Sequence, residues 1–212
     1  SFLLSSGLAQ GSPLSATCWV IYINDVVWRI SDACSVGIYA DDVRCWATNP
    51  GSLQLGLKRL EKWCSGFQIS LAPAKCVYAV FGKGEAVPPL LSGVPVPMLE
   101  GSAQRDLGIL IDPCLSFTPH VASKVAIAKG KANQLLRSFH TNDPHTLFAA
   151  FSTYVIPHLE HGSVVFNSIS RKNDQKIESV QKDYTWRIFR RAGLKRVSYE
   201  ERLSYLGAVK LS

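Results

Sequence analysis

The sequence predicts an α+β fold in two parts, mixed helix and strand over residues 1–115 and helical over residues 116–212. Three observations carry it. The run from Val36 to Trp46 reads as two short strands of apolar and β-branched residues joined at Asp41-Asp42, the pattern of a hairpin. Before it, Trp19, Tyr22, Ile23, Val26, Val27 and Ile30 recur at helical spacing. After Ser116 the apolar positions step by three or four, through Val121, Val125, Ala128, Ala132, Leu135 and Phe139.

In chain order, Gly7-Leu8-Ala9-Gln10-Gly11-Ser12-Pro13-Leu14-Ser15 is a turn feeding an apolar helix, expected to end near Asn24-Asp25 although its periodic positions run on to Ile30. The Asp-bearing hairpin follows. Asn49-Pro50-Gly51-Ser52 starts a second amphipathic helix marked by Leu53, Leu57, Leu60 and Cys64. Phe67, Ile69 and Leu71 alternate as a strand does, and Val77 to Phe81 form another short apolar run. Residues 82–97, rich in Gly and Pro, predict a loop or loose hairpin. Helices packed on one face of an antiparallel sheet is the layer arrangement these elements suit. Thr118-Pro119 and Asp143-Pro144 each pair a capping residue with a first-turn proline. A further helix is expected from about Arg171, with Ile177, Val180, Tyr184 and Ile188 on its buried face, and Ser198 with Glu201 stands at capping-box spacing.

Composition narrows the class. With 47% hydrophobic and 18% charged residues over 212 positions, the chain has material for a proper core and one or two domains. No apolar run is long enough to cross a bilayer, and the first residues lack the basic start of a signal peptide. Met98 is the sole methionine, so a fragment of a longer chain is expected. Six cysteines are scattered without a C-x-x-C pair, which argues against a zinc knuckle and for a reduced, intracellular protein. His158 and His161 would share a helix face, but no third ligand stands near them. Net charge is +7, all of it in the second half: residues 101–212 carry sixteen basic and nine acidic side chains, while residues 1–100 balance at seven each. Between Arg171 and Arg196 nine basic residues face three acidic ones, a concentration that suits a phosphate backbone as much as a solvated helix face.

Two carboxylates about 5 Å apart repel by roughly 3 kcal/mol at an effective dielectric of 20. A fold that keeps both ionised commonly supplies a cation, and Mg²⁺ takes hard oxygen ligands of this kind. The ordered series of Gln10-Gly11-Ser12, Tyr39-Ala40-Asp41-Asp42, Lys75 and Leu107-Gly108, continuing through Tyr154 to Glu160 and Tyr199 to Leu203, resembles the reverse transcriptase of non-LTR retrotransposons of the LINE or jockey kind. Ala9 stands where that family usually has proline.

The resemblance implies a partial polymerase palm with the hairpin over 1–115 and a thumb-like helical bundle over 116–212. It implies RNA-directed DNA synthesis with Mg²⁺, or Mn²⁺ in its place, acting on an RNA template, a DNA primer or target and deoxynucleoside triphosphates, in the nucleus and cytoplasm and away from membranes. Asp41 and Asp42 would be metal ligands, and Lys75 would neutralise the leaving pyrophosphate. Gln10, Gly11 and Ser12 would lie by the incoming nucleotide and template, and Tyr39 by the primer terminus. Leu107 and Gly108 would belong to the strand called the primer grip. Arg171, Lys182, Arg190 and Arg191 are expected to meet the nucleic-acid backbone. The family's other metal-binding Asp precedes Gln10 by dozens of residues, so half a metal site and little activity are expected of this segment alone. Trp46, Trp63 and Trp186 suit core packing better than base stacking. The rival reading is a non-catalytic nucleic-acid-binding remnant.

Overall fold

The computed structural model describes residues 7, 9, 11–84, 87–99, 103–166 and 170–211. The chain folds as two compact units, residues 1–99 and residues 100–212. The division falls earlier than the 115/116 boundary the sequence suggests, so Leu107 and Gly108 travel with the helical part. Helix and antiparallel strand are mixed as an α+β fold requires. The strands form three separate two-stranded hairpins among the described residues.

In the first unit, helix α1 (Pro13–Ile30) starts after Ser12 in extended conformation and passes through Asn24-Asp25 without a break. Nothing at that dipeptide interrupts the apolar stripe, and Ile23, Val26 and Ile30 all lie buried. Strands β1 (Ser35–Tyr39) and β2 (Asp42–Trp46) pair antiparallel, with Tyr39 opposite Asp42 and Gly37 opposite Arg44. Helix α2 (Pro50–Gly66) is capped by Asn49, whose side chain accepts from the Ser52 amide at 2.8 Å. Ile38, Val43 and Cys45, on one face of the hairpin, pack on a core of Ile23, Val26, Ile30, Cys34, Leu60, Trp63 and Cys64. Gly56 permits the close approach of α2, because a Cβ there would stand 2.2 Å from the Cys34 sulfur.

The expected strand at Phe67–Leu71 does not form. Its residues close α2 instead: Gln68 takes a left-handed conformation, and the Ile69 and Gln68 amides donate back to the Cys64 and Ser65 carbonyls. Of the Val77–Phe81 run, only Tyr78 makes a ladder contact, an isolated parallel bridge to Met98. The Gly/Pro segment does fold back, as β3 (Leu90–Leu91) and β4 (Val94–Pro95). The Gln54 amide docks this hairpin on α2 by exchanging hydrogen bonds with both backbone groups of Leu90.

In the second unit, β5 (Gln104–Asp106) and β6 (Ile109–Ile111) precede helices α3 (Thr118–Ser138), α4 (Pro144–Tyr154), α5 (Ile156–Glu160), α6 (Ser163–Phe166), α7 (Arg171–Arg191) and α8 (Tyr199–Leu206). Asp112 sets the entry to α3. Its carboxylate is buried and accepts from the Ser116 and Phe117 amides, and Phe117, not Thr118, is the residue before the helix. Burial pushes that carboxyl up, but the amide donors outweigh it and hold it below its ordinary range. Asp143 caps α4 through the His145 and Thr146 amides, and Ser198 with Glu201 forms the capping box of α8. Val121, Val125, Leu147, Phe151, Val155, Val180, Tyr184 and Ile188 make one continuous core across α3, α4, the α4–α5 junction and α7.

His120 ties the β5–β6 hairpin to this core. Its ring is buried, and Nδ1 accepts from the Leu110 amide at 3.1 Å, which places the proton on Nε2. That Nε2 makes no close hydrogen bond among the described residues, the His161 backbone being the group that acts on the ring. Burial, the charge of Lys124 and those of His161 and Arg105 hold the imidazole below its ordinary 6.5, against the raising effect of the His161 backbone. The unfolded chain therefore takes up a proton that the folded one resists, so His120's contribution is complete above about pH 6.5 and is lost progressively as pH falls below that value through the lower folded one. His158, lowered chiefly by burial, adds in the same direction. Urea midpoints at about pH 8 and about pH 5 are expected to fall on the acid side. His120→Gln should flatten that difference, and an unchanged pH dependence in the variant would remove His120 as its source.

Candidate active-site hairpin and basic helix

The two strands β1 and β2 are short, and their alternation decides what the hairpin presents. Val36, Ile38, Val43 and Cys45 share the inner face, while Tyr39, Asp42, Arg44 and Trp46 share the other. Burial pushes the Cys45 thiol up to about 12, with Cys34 beside it adding to the effect. All six cysteines are free. Trp46 lies across Gly37, with its ring 3.3 Å from where a Cβ would stand, and remains 55% exposed. Core packing therefore describes Trp63, which is buried, and not Trp46.

Ala40 and Asp41 form the two-residue turn, with Ala40 at a φ of +53°. A residue with a Cβ in this region costs roughly 1–2 kcal/mol. The Trp19 indole, from α1, donates to the Ala40 carbonyl at 2.9 Å and so anchors the tip. Trp19 reads in the sequence as one more periodic helix residue; only its partner reveals it as a positioning residue for the turn.

Asp41 and Asp42 are both exposed. Asp42 lies 4.0 Å from the Arg44 guanidinium, its neighbour two positions on along the same face. Asp41 has no hydrogen-bond or ion-pair partner among the described residues. Two adjacent carboxylates at a fixed turn are chemically suited to a hard divalent ion. No group of three His, Cys, Asp or Glu able to hold a metal occurs among the described residues, so an ion here would draw its remaining oxygens from water or another source. The two acids that precede the hairpin in the described sequence are engaged elsewhere: Asp25 accepts from the Trp63 indole at 2.8 Å, and Asp32 pairs with Arg59.

Tyr39 faces the same side as Asp42, 62% exposed. Gly11 and Ser12 precede α1, Gly11 at a φ of +86° with open space around it. Gln10 lies outside the described residues. Lys75 ends a 3-10 turn over Pro73–Lys75, exposed, with no hydrogen bond or ion pair to the hairpin among the described residues. Leu107 and Gly108 form the two-residue turn of β5–β6, both at positive φ (45° and 83°), the geometry of a type I′ hairpin turn. That conformation, with the His161 ring 3.1 Å from a would-be Cβ, accounts for glycine at position 108 without a bulge.

On α7 the buried face carries Ile177, Val180, Tyr184 and Ile188, as their spacing predicts. Arg171, Lys182 and Arg190 are exposed. Arg191 is half-buried: it donates to the Leu136 carbonyl at 3.0 Å and to the Asn142 side chain at 3.2 Å, tying the end of α3 to the end of the loop before α4. Its guanidinium is committed to the fold, which distinguishes it from the other three.

No helix among the described residues is long and apolar enough to cross a membrane. Over 100 residues the chain is 32% identical to an uncharacterized protein of Caenorhabditis elegans, covering 47% of this chain and 50% of that protein. It is 21% identical over 190 residues to the probable RNA-directed DNA polymerase from transposon X-element of Drosophila melanogaster, and 24% identical over 201 residues to that from transposon BS of the same species. Each of these alignments covers 84% of this chain but only 21% and 22% of the polymerases, so the chain spans about half of the first relative and about a fifth of the other two. No solved structure matches it significantly. Residues 1–129, more than half of the chain and inclusive of the Asp41-Asp42 hairpin, match the reverse transcriptase (RNA-dependent DNA polymerase) family, and the chain belongs to that family.

Proposed function

We propose that this chain is the part of a non-LTR retrotransposon polymerase that carries the catalytic hairpin and a basic helical grip. The observation that carries the reading is the Asp41-Asp42 pair, exposed at a turn anchored by Trp19, within the segment that matches the family. In this reading residues 1–115, with the Leu107-Gly108 turn, are the later palm, and the helices of residues 116–212 are the thumb. The substrates are an RNA template, a DNA primer or target, and deoxynucleoside triphosphates. Location is intracellular, nuclear and cytoplasmic.

Asp41 and Asp42 would hold Mg²⁺, or Mn²⁺ in its place. When bound, the ion supplies positive charge to the attacking and leaving oxygens of nucleotidyl transfer. The chain's own residues then position and neutralise. Tyr39, on the Asp42 face, sits where a primer terminus would meet the hairpin. Gly11 lets a nucleotide approach the backbone, and Gln10 and Ser12 offer hydrogen bonds to it. Lys75 neutralises pyrophosphate, and the Leu107-Gly108 turn, exposed at Leu107, meets the primer strand. Templated extension of oligo(dT) on poly(A), by a longer chain that includes this segment, tests the reading as a whole. Nucleic-acid binding without extension would favour the non-catalytic alternative.

The basic helix yields a separable result. Neutralised phosphates release counterions, so affinity for an RNA–DNA duplex should fall linearly with salt on logarithmic axes. Arg190→Ala should reduce that slope by about 0.9 with little change in sequence preference. Arg191→Ala should leave the slope and instead cost about 1–3 kcal/mol of stability, since it removes the donor to Leu136 and Asn142. Equal slope changes in both variants would refute the division of labour.

A further inference from the structure

We propose that Trp186 is a stacking platform for an unpaired nucleobase, with Lys182 and Arg190 holding the phosphates on either side. The inference rests on the polymerase reading above and adds a single-strand contact to it. Lys182, Trp186 and Arg190 recur every fourth residue of α7, so they form one ridge with about 6 Å of rise between neighbours. Trp186 is 47% exposed, whereas Tyr184 and Phe189 beside it in sequence are buried. The Arg190 guanidinium lies over the Trp186 ring, 5.1 Å from its centroid, which keeps the indole fixed with a cation against one of its faces. The Trp186 side chain also borders an open depression of about 660 Å³ between α7 and the start of α8, to which Lys182 and Tyr199 contribute.

Charge favours a polyanion there. The two acids on the depression are already compensated: Asp183 by Arg187 at 3.7 Å, and Glu200 by Lys210 at 3.6 Å. Lys182 and Arg202 each lie over the Tyr199 ring, at 5.9 and 5.5 Å from its centroid. The platform selects single strands for a geometric reason. A base inside a duplex has both faces covered by its neighbours, whereas an unpaired base offers one to the indole. Alternation of cations with an aromatic face is how sequence-tolerant single-strand grooves are built.

The test uses residues 1–212 with oligo(U) and oligo(dT) of about 12 nucleotides, each carrying one central 2-aminopurine, and an RNA–DNA duplex of equal length. Binding is expected to quench the 2-aminopurine, and Trp186→Ala should remove the quench and weaken single-strand affinity about tenfold. Trp186→Phe should restore most of it. Duplex affinity and the thermal melt should stay at parental values, because the side chain is half-exposed and meets no paired base. The salt slope should be unchanged in Trp186→Ala but reduced by about 0.7 in Arg190→Ala on a single strand. A preference for oligo(U) over oligo(dT) would identify the template as the source, and the reverse the DNA strand; either supports the platform. Parental single-strand affinity in Trp186→Ala, or an equal loss on duplex, would overturn the platform and leave the polymerase reading intact. Failure of the parent chain to bind any of the three nucleic acids would overturn both.

Discussion

Asp41→Asn, made in a longer chain that includes this segment, is expected to reduce templated primer extension by about 10³-fold or more. The substitution keeps size and shape and removes one negative charge. Asp41 lies in an exposed turn with no partner among the described residues, so the hairpin register and the Trp19 anchor should survive. Thermal melts and duplex affinity should therefore match the parent, isolating the loss to chemistry. Asp42→Asn should cost less, because Asp42 already faces the Arg44 guanidinium and contributes less uncompensated charge. Extension within a few-fold of the parent in Asp41→Asn would remove it from the metal site. A larger loss in Asp42→Asn than in Asp41→Asn would reverse the assignment of principal ligand.

The hairpin was legible because its period is two and its junction polar, so face and turn follow from the residues alone. The helices were legible for the same kind of reason: Ile177, Val180, Tyr184 and Ile188 return to one side of a 3.6-residue spiral, and all are buried. What stayed hidden depends on partners distant in sequence. Phe67, Ile69 and Leu71 alternate like a strand, yet the carbonyls of Cys64 and Ser65 claim the local amides first. Gly108 looks like a site for a passing backbone, and its turn geometry and His161 supply a nearer cause. Arg191 and Arg190 are adjacent and chemically identical, but only Arg191 reaches the Leu136 carbonyl. Trp19 and Gly56 carry no sequence mark of their roles, which lie in the Ala40 carbonyl and the Cys34 sulfur.

Phe151→Ala is expected to destabilise the second unit by about 3–5 kcal/mol, a large share of the roughly 5–15 kcal/mol that holds a domain folded. Phe151 is fully buried on α4 and stacks on Tyr184 of α7, with ring centroids 4.4 Å apart and planes at 21°. Tyr184 in turn donates to the Leu147 carbonyl at 3.0 Å, and burial pushes its phenol up to about 12. Removing the Phe151 ring opens a cavity at the contact between α4 and α7 and leaves that hydrogen bond in a loosened setting. Hydrogen exchange should show the loss in α3, α4 and α7. Protection in α1 and α2 should hold, because they pack on the separate core of Ile23, Val26, Ile30, Leu60 and Trp63. Phe151→Leu, which refills most of the volume, should recover the greater part of the stability. The functional consequence is specific: Lys182, Trp186 and Arg190 stand on the outer side of the helix whose inner side Phe151 supports. Nucleic-acid affinity should therefore fall in Phe151→Ala at temperatures where the second unit has melted, and return on cooling. A loss below about 1 kcal/mol, or affinity that persists through the melt, would show that α7 is held by contacts other than this aromatic stack.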